Sequence, residues 1–389
     1  MKKLIFINDR SFLEKDYDRY GIEYFLKKNI TIELWQINEI VNSKIDFSIL
    51  DFENILIKNI TDKSQFKYEI SKIEKNSQFI MLISPNYLNN FIFDIIHTLE
   101  HNWSHLKLAI YPPSRYKFYQ KIQLALLNPF LPWNQIVIKI KSFFLNNRLK
   151  YTPNSIFVSG NFLKNNLEGG DTNKANLISC NAFDYDKYLN YEEKDSIKNS
   201  SKEEYILYLD NNLSKHQDAA LNFYSEKNCK PDIFYKELNN FFDYIEELNN
   251  CRVIVAAYPK ADYKKSGNPF NNREIVFKKT IEKVKHAKLV LIHNSTSVNF
   301  AAIYKIPIIF ISSIHYSLGM RVSIEAMAIE FSQTPIDISK NYKNVLSNEI
   351  KINERIHSNY VNKFIVSSDS DSINKYSYEI VYSSLFSNN

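Results

Sequence analysis

The sequence predicts an α/β chain with two parallel-sheet domains. Three observations lead there: the length, a repeated alternation of short apolar runs with longer amphipathic ones, and a polar break midway. At 389 residues the chain exceeds one ordinary domain, and two of comparable size are the natural expectation. Hydrophobic residues at 44% and charged residues at 24% are globular values, which excludes a largely disordered chain. Near-continuous apolar runs suit parallel strands covered on both faces.

In the first half, Leu4–Asn8 reads as a buried strand and Tyr17–Lys28 as an amphipathic helix. Further strands are expected at Thr31–Ile37, Asn54–Ile60, Phe79–Ser84 and Lys107–Tyr111, with a helix over Asn89–Trp103. The charged stretch Asn190–Glu203 reads as a linker. After it come strands at Tyr205–Asp210, Arg252–Ala257, Leu289–His293 and Pro307–Ile311. A long helix, Asp232–Asn249, begins after Pro231, whose missing N–H costs nothing at a helix start. Two successive βα halves describe two Rossmann-like domains facing across a cleft, residues 1–195 and 200–360, with a closing helix or tail at 361–389.

Composition narrows the chemistry. Six glycines include no GxGxxG and no GxxxxGK(S/T), so a phosphate site must use helix N-termini and hydroxyls. Cys180, Cys229 and Cys251 lack metal-type spacing and suggest reduced thiols in a cytoplasmic protein. The opening MKKLIFINDR is too short in apolar residues for a signal peptide, and no apolar stretch approaches the roughly 20 residues that span a bilayer.

The strongest local pattern is His293-Asn294-Ser295-Thr296-Ser297 at the end of a buried strand, opening a helix. Hydroxyls there serve as N-caps or, with the backbone N–H groups, as an anion site for a nucleotide phosphate. A second segment, Tyr258-Pro259-Lys260, also follows a buried strand, with groups suited to a base and a phosphate.

Together, AAYPKADY and LVLIHNSTSVNFAAIYKIPIIFI resemble the carboxyl-terminal half of bacterial GT-B enzymes that use CMP-activated keto sugars. Those are the sialyltransferase-like and Kdo-transferase-like proteins of capsule and lipopolysaccharide assembly. The resemblance covers about a quarter of the chain, mostly residues 205–312. It implies a GT-B glycosyltransferase with a CMP-linked donor, no other cofactor, and a surface glycan or its lipid-linked precursor as acceptor. Ser295 and Thr296 fall on the family's Ser-Ser/Ser-Thr motif, and Pro259 on its His-Pro motif. Tyr258 stands at the histidine position, which leaves His293 or His216 as the replacement donor.

Transfer also needs a base for the acceptor hydroxyl. Asp9, Glu14, Asp16 and Asp18 follow the first strand, and Asp210 and His216 follow the first strand of the second half. The resemblance puts the base in the first domain, which favours Asp16 or Asp18, while Asp210 ends a buried strand and is also well placed. No metal is expected: Asp184-Tyr185-Asp186 and Asp369-Ser370-Asp371 lack a third ligand. His97, His101 and His105 recur every four residues, which on a helix would share one face.

Net charge is +6, and residues 101–167 contain no acidic residue. Their mixture of cations with Leu, Phe and Trp133 reads as contact with anionic lipid on the inner face of the plasma membrane, or as a core helix with a basic rim. No nucleic-acid motif accompanies the charge. Two other function classes stay open: a sugar-nucleotide epimerase of the same architecture, and a non-catalytic glycan-assembly protein.

Overall fold

The computed structural model describes residues 2–10, 12–41, 52–83, 89–113, 117, 120, 152–162, 175–195, 204–212, 230–259, 261–340, 342–343, 352–367 and 373–387. By its contacts the chain divides into two compact units. Met1–Ala109, Pro129–Asp186 and Val366–Asn389 form the first; Ile110–Asn128 and Lys187–Ile365 form the second. Each carries one parallel sheet flanked by helices, as a Rossmann-like domain does.

The first sheet has seven strands: β1 (Lys3–Asn8), β2 (Thr31–Gln36), β3 (Leu56–Asn59), β4 (Gln78–Met81), β5 (Asn102–Lys107), β6 (Ser155–Ser159) and β7 (Asn176–Cys180). Their order is β3-β2-β1-β4-β5-β6-β7, every pair parallel. Successive side chains of β1 point to opposite faces. Leu4 and Phe6 join one core with Ile32, Leu34 and Phe25, while Ile5 and Ile7 join another with Trp35, Phe79 and Phe93. Burying each such side chain contributes about 1.5–3 kcal/mol.

The single helix expected over Tyr17–Lys28 is two, α1 (Glu14–Arg19) and α2 (Ile22–Lys27). Gly21 sits between them at φ 61°, and a Cβ there would run into the Tyr378 side chain. Two short helices, α3 (Asn38–Val41) and α4 (Lys63–Ser71), follow, and α5 covers Asn90–Thr98. The histidine pattern fails on this last element. His97 lies in α5, Glu100 at φ 53° turns the chain away, and His101 precedes the strand that contains His105. A spacing of four across a helix end is no longer a shared face. The strand expected at Lys107–Tyr111 is displaced to β5 for the same reason.

The expected linker also begins later. Helix α6 (Phe183–Asp195) runs through NYEEKD, with Glu192 paired to Lys285 at 2.8 Å and accepting from Tyr304 at 2.7 Å. Charge marked a solvated helix face there rather than a break.

The second sheet has six strands: β8 (Tyr205–Leu209), β9 (Arg252–Ala256), β10 (Ile275–Val276), β11 (Leu289–Ile292), β12 (Ile308–Ser312) and β13 (Ile336–Asp337). The order is β10-β9-β8-β11-β12-β13, again parallel throughout. Around it lie α7 (Pro231–Asn249), α8 (Tyr263–Ser266), α9 (Thr280–Lys285), α10 (Val298–Ile303), α11 (Leu318–Glu330) and α12 (Glu354–Tyr360), the last running into a π-helical turn, Val361–Ile365. Among the described residues no helix is long and apolar enough to cross a membrane. Most of the basic stretch 101–167, including its centre at 121–144, lies outside the described residues.

The final helix, α13 (Ser377–Phe386), belongs to the first unit. Val381, Leu385 and Phe386 enter the core of β1 and β2. Its N-terminus is tied down by Asp186, which accepts from the Ser377 N–H at 2.7 Å and from the Ser377 hydroxyl. Asn181 extends the tie, donating to the Lys375 carbonyl at 2.9 Å and accepting from the Ser367 N–H at 3.3 Å. Asp186 is therefore a structural anchor and not half of a metal pair.

Burial pushes the Asp186 carboxyl up to about 7, against the opposing hydrogen bonds from Ser377. A raised carboxylate favours the folded state only while it holds its proton. Its contribution is complete below the unfolded value near 3.8, declines as pH rises, and is gone above about 7. Urea titrations of the wild type and Asp186→Asn should diverge over that window, the wild type losing up to about 1.4 kcal/mol per pH unit relative to the variant. Parallel profiles would show that Asp186 is ionised throughout.

Candidate functional site

In an open parallel sheet, ligands sit beyond the carboxyl ends of the strands, where the strand order reverses. In the second domain that reversal lies between β8 and β11, since β9 and β10 extend one way and β12 and β13 the other. The segments that follow β8 and β11 are therefore the first place to look.

After β8 come Asp210, Asn211 and Asn212. The buried Asp210 carboxylate gathers three donors: the Asn212 N–H at 2.8 Å, the Tyr258 N–H at 3.2 Å and the Tyr263 hydroxyl at 2.7 Å. It thereby ties the loop after β9 to the end of β8. Burial, and then the Asp210 charge, hold the Tyr263 hydroxyl far above the ordinary tyrosine range, so it remains a donor. Asp210, expected as a candidate base, is a hub of loop geometry. Tyr258 is half-buried and Pro259 exposed, while Lys260 and His216 lie outside the described residues.

After β11 the chain reads His293 to Ser297. His293 is fully buried, with Nδ1 3.2 Å from the Tyr208 hydroxyl and Nε2 2.9 Å from the Tyr316 hydroxyl. Burial lowers its pKa to about 3, so the ring is neutral. The sequence placed His293 among ligand-binding residues, but its position puts both ring nitrogens against protein hydroxyls in the core.

The hydroxyl run behaves differently. The first amides of α10 are closed by backbone carbonyls: Val298 N–H to Ser295, Asn299 to Thr296 and Phe300 to Ser297, at 3.1, 2.9 and 3.2 Å. No side chain caps this helix. The one side-chain bond within the run is Ser297 N–H to Ser295 Oγ, at 3.3 Å. Among the described residues, the N–H groups of Ser295 and Thr296 and the hydroxyls of Thr296 and Ser297 have no partner, and all three residues are half-buried. Of the two roles the sequence left open, Ser295 thus makes one cap-type bond, and the Thr296 and Ser297 hydroxyls make none.

Asparagines join the two loops. Asn211 Nδ2 donates to the Asn294 carbonyl at 3.3 Å and to Asn294 Oδ1 at 3.2 Å, and Asn294 Nδ2 donates to Ser323 Oγ on α11 at 2.9 Å. The Oδ1 atoms of Asn211 and Asn212 and the Nε of Arg321 are buried without a partner. Buried polar atoms are normally paired, because an unpaired one costs about 1–3 kcal/mol. The loops after β8 and β11 and the helix α11 thus carry two unmet acceptors and one unmet cationic donor as well as the spare hydroxyls. Beside them a hollow of about 330 Å³ is lined by Asn212, Ala261, Asp262, Tyr263, Lys265 and Ser266. The sequence reasoning passed over Asn211, Asn212 and Arg321. The position of the Asn-Asn pair directly after an apolar strand was the available signal.

In the first domain the order reverses between β1 and β4. Asp9 follows β1 there. Burial raises its pKa, against the opposing charge of Arg10, whose Nε is 3.6 Å from Oδ1. Asp9 Oδ1 makes no hydrogen bond. Asp16 instead accepts from the Leu13 N–H at 3.1 Å and lies 3.7 Å from Arg19, at the start of α1, and Asp18 is exposed on that helix. Among the described residues no cluster of three or more His, Cys, Asp or Glu is arranged to hold a metal ion, and Asp369-Ser370-Asp371 lies outside them.

No protein-family model matches the chain, and no curated protein matches it in sequence. In fold it is similar to S. aureus MnaA, solved with UDP, with a TM-score of 0.52 at 11% identity over 100% of this chain and 97% of that one. Arabidopsis thaliana UGT89C1 complexed with UDP aligns with a TM-score of 0.49 at 8% identity, over 99% and 100% of the two chains. For the Methanocaldococcus jannaschii UDP-GlcNAc 2-epimerase in complex with UDP-GlcNAc and UDP the values are 0.46 and 15%, over 93% and 98%. The first likeness bears on fold alone: the chain has the GT-B class of fold, with two Rossmann-like domains.

His293→Ala should destabilise the protein by about 3–5 kcal/mol, from a cavity and two stranded tyrosine hydroxyls. A neutral buried histidine also makes stability fall as pH drops from about 6.5 towards 3, because the unfolded chain takes the proton first. Thermal melts of both proteins across that range check both statements; a variant as stable as the wild type would place the ring outside the core.

Proposed function

We propose that the chain is a glycosyltransferase acting on a nucleotide-activated sugar, with the nucleotide phosphate at the carboxyl edge of the second sheet, between the loops after β8 and β11. One observation carries this reading: the unpaired N–H groups of Ser295 and Thr296 and the unpaired hydroxyls of Thr296 and Ser297, with α11, the helix that Asn294 reaches through Ser323, carrying an Arg321 Nε that is buried without a partner. Glycosyl transfer leaves negative charge on the departing phosphate, and fixed donors aimed at that charge lower the barrier without reorganising. The unmet Oδ1 atoms of Asn211 and Asn212 suit hydroxyl or amino donors on the same ligand. The nearby hollow is roomy enough for a ring of the nucleotide.

The finer reading is a CMP-linked keto sugar as donor and a surface glycan or its lipid-linked precursor as acceptor. It rests on the resemblance of the segments around Tyr258-Pro259 and Ser295-Thr296 to CMP-sugar enzymes. For the acceptor's proton, Asp9 is the better candidate in the first domain. Its carboxylate follows the strand where that sheet reverses and has an oxygen with no hydrogen bond, and burial makes it a stronger base than an ordinary aspartate. The reading draws on fixed protein donors and uses no metal ion.

Calorimetry with CMP, CDP, UMP, UDP and GDP tests the phosphate site. Wild type should bind one of them, and Ser295→Ala/Thr296→Ala should weaken that binding by about tenfold or more, since hydrogen bonds to charged groups are worth about 1.5–3 kcal/mol. Preference for CMP supports the keto-sugar donor, preference for a uridine nucleotide replaces it, and no binding removes the enzyme reading. Turnover without any acceptor would favour an epimerase.

Asp9→Asn should lower kcat by about 10²–10⁴ with little change in nucleotide affinity. Because the active form is the carboxylate, wild-type kcat should fall on the acid side, with a midpoint above the ordinary aspartate value. An Asp9→Asn enzyme with unchanged kcat would exclude that role.

A further inference from the structure

A second group of reactive side chains stands at the carboxyl end of β12, one strand from the hydroxyl run. The chain there reads Ser313-Ile314-His315-Tyr316-Ser317. Glu237, from the N-terminal half of α7, reaches both His315 and Ser313. Its Oε1 is 3.3 Å from His315 Nε2, and its Oε2 accepts from the Ser313 hydroxyl at 2.8 Å. Ser313 is fully buried, and its Oγ also accepts from the His315 N–H at 3.1 Å.

The loop is held on three further sides. Tyr316 N–H bonds to the Ser313 carbonyl at 3.1 Å, and the Tyr316 hydroxyl reaches His293 at 2.9 Å. The Ile314 N–H reaches Ser339 Oγ, after β13, at 3.5 Å, and Ser317 Oγ caps α11 through the Met320 N–H at 3.3 Å.

Within this fixed framework the imidazole and the neighbouring Ile314 are the parts that meet solvent. The His315 side chain is 45% exposed, and among the described residues its Nδ1 has no partner. A carboxylate behind one ring nitrogen, with the other turned outward, orients an imidazole for exchange with a ligand. The elements packed around the loop bring few other ionisable groups to it. Asp337 and Lys340 pair with each other at 3.2 Å, and His293 is neutral and buried beneath Tyr316. Glu237 is thus the charged partner that His315 has. Stabilising the fold gives no reason to expose the ring while securing the carboxylate behind it with a buried serine.

We propose that His315 contacts a phosphate oxygen of the nucleotide through Nδ1–H, with Glu237 and Ser313 as positioning residues. The inference rests on the reading of the second domain as a nucleotide-sugar site and adds to it a phosphate donor beyond the next strand. A ring N–H held in place by a carboxylate can donate to a phosphate oxygen, and a nucleoside offers it nothing to bond. The contact should therefore strengthen binding of the nucleotide and not of the nucleoside.

Calorimetry with CMP and UDP, each set against its nucleoside, tests this by comparing wild type with His315→Gln and Glu237→Gln. Wild type should bind the nucleotide it takes about tenfold more tightly than His315→Gln, while the matching nucleoside should bind the two within about twofold. Glu237→Gln should lose part of the nucleotide's advantage and leave the nucleoside unchanged, a split that loosened packing alone would not make. Ser295→Ala/Thr296→Ala should also weaken nucleotide binding. Equal nucleotide binding by wild type and His315→Gln, with binding still lost in the serine–threonine variant, overturns the inference and leaves the phosphate site standing. Failure of wild type to bind either nucleotide overturns both.

Discussion

Every strand pair in both sheets is parallel, and a parallel sheet has to be covered on both faces. That constraint governs the rest of the molecule. It makes the central strands of each sheet apolar, sends connections such as α4, α7 and α10 across a face as helices, and keeps most polar chemistry off both faces. What remains for a ligand is the row of segments leaving the carboxyl edge, opened widest where neighbouring connections depart in opposite directions. Asp9 lies at that point in one domain; Asn211 and Ser295 flank it in the other. The groups proposed for chemistry are therefore where covering both faces leaves polar atoms accessible.

The same constraint decided which elements were legible. Runs such as LIFIN, YILYL and LVLI read as strands because both of their faces are buried. The strand NWSHLK did not, since Asn102, Ser104 and His105 break the apolar run although Ser104 is buried in the sheet with its hydroxyl unpartnered. The run SIFVS was passed over as well, and the two-residue strands β10 and β13 are too short to leave a pattern. Helix ends failed where they depend on single backbone angles, as at Gly21 and Glu100. Polar helix interiors such as NYEEKD cannot be told from linkers by charge alone, because solvation serves both equally.

Of the site, the hydroxyl run was legible because three such residues at a strand's end are a local feature. The asparagines were not, because their meaning lies in hydrogen bonds spanning more than eighty residues of sequence, from Asn211 to Asn294. Histidine shows the limit most plainly. His293 and His315 lie twenty-two positions apart at the ends of adjacent strands, yet one is enclosed between tyrosine hydroxyls and the other stands at the surface against a carboxylate. Residue type and strand-end position are alike; burial separates their chemistry, and burial is not written in the local sequence.

The last helix of the first domain carries a consequence for how the protein is made. Strands β1 to β7 leave the ribosome early, but Val381, Leu385 and Phe386, which complete one of their cores, emerge only after the whole second sheet. During synthesis the first domain must wait with part of its apolar face uncovered, while the second can close its own core as soon as residue 365 has appeared. The domain begun first is finished last. The link across nearly two hundred residues between Asp186 and Ser377 is the kind of distant closure that slows folding. A chaperone that shields nascent chains would find its substrate in that waiting face, on the side of the sheet that carries Leu4, Phe6 and Leu34.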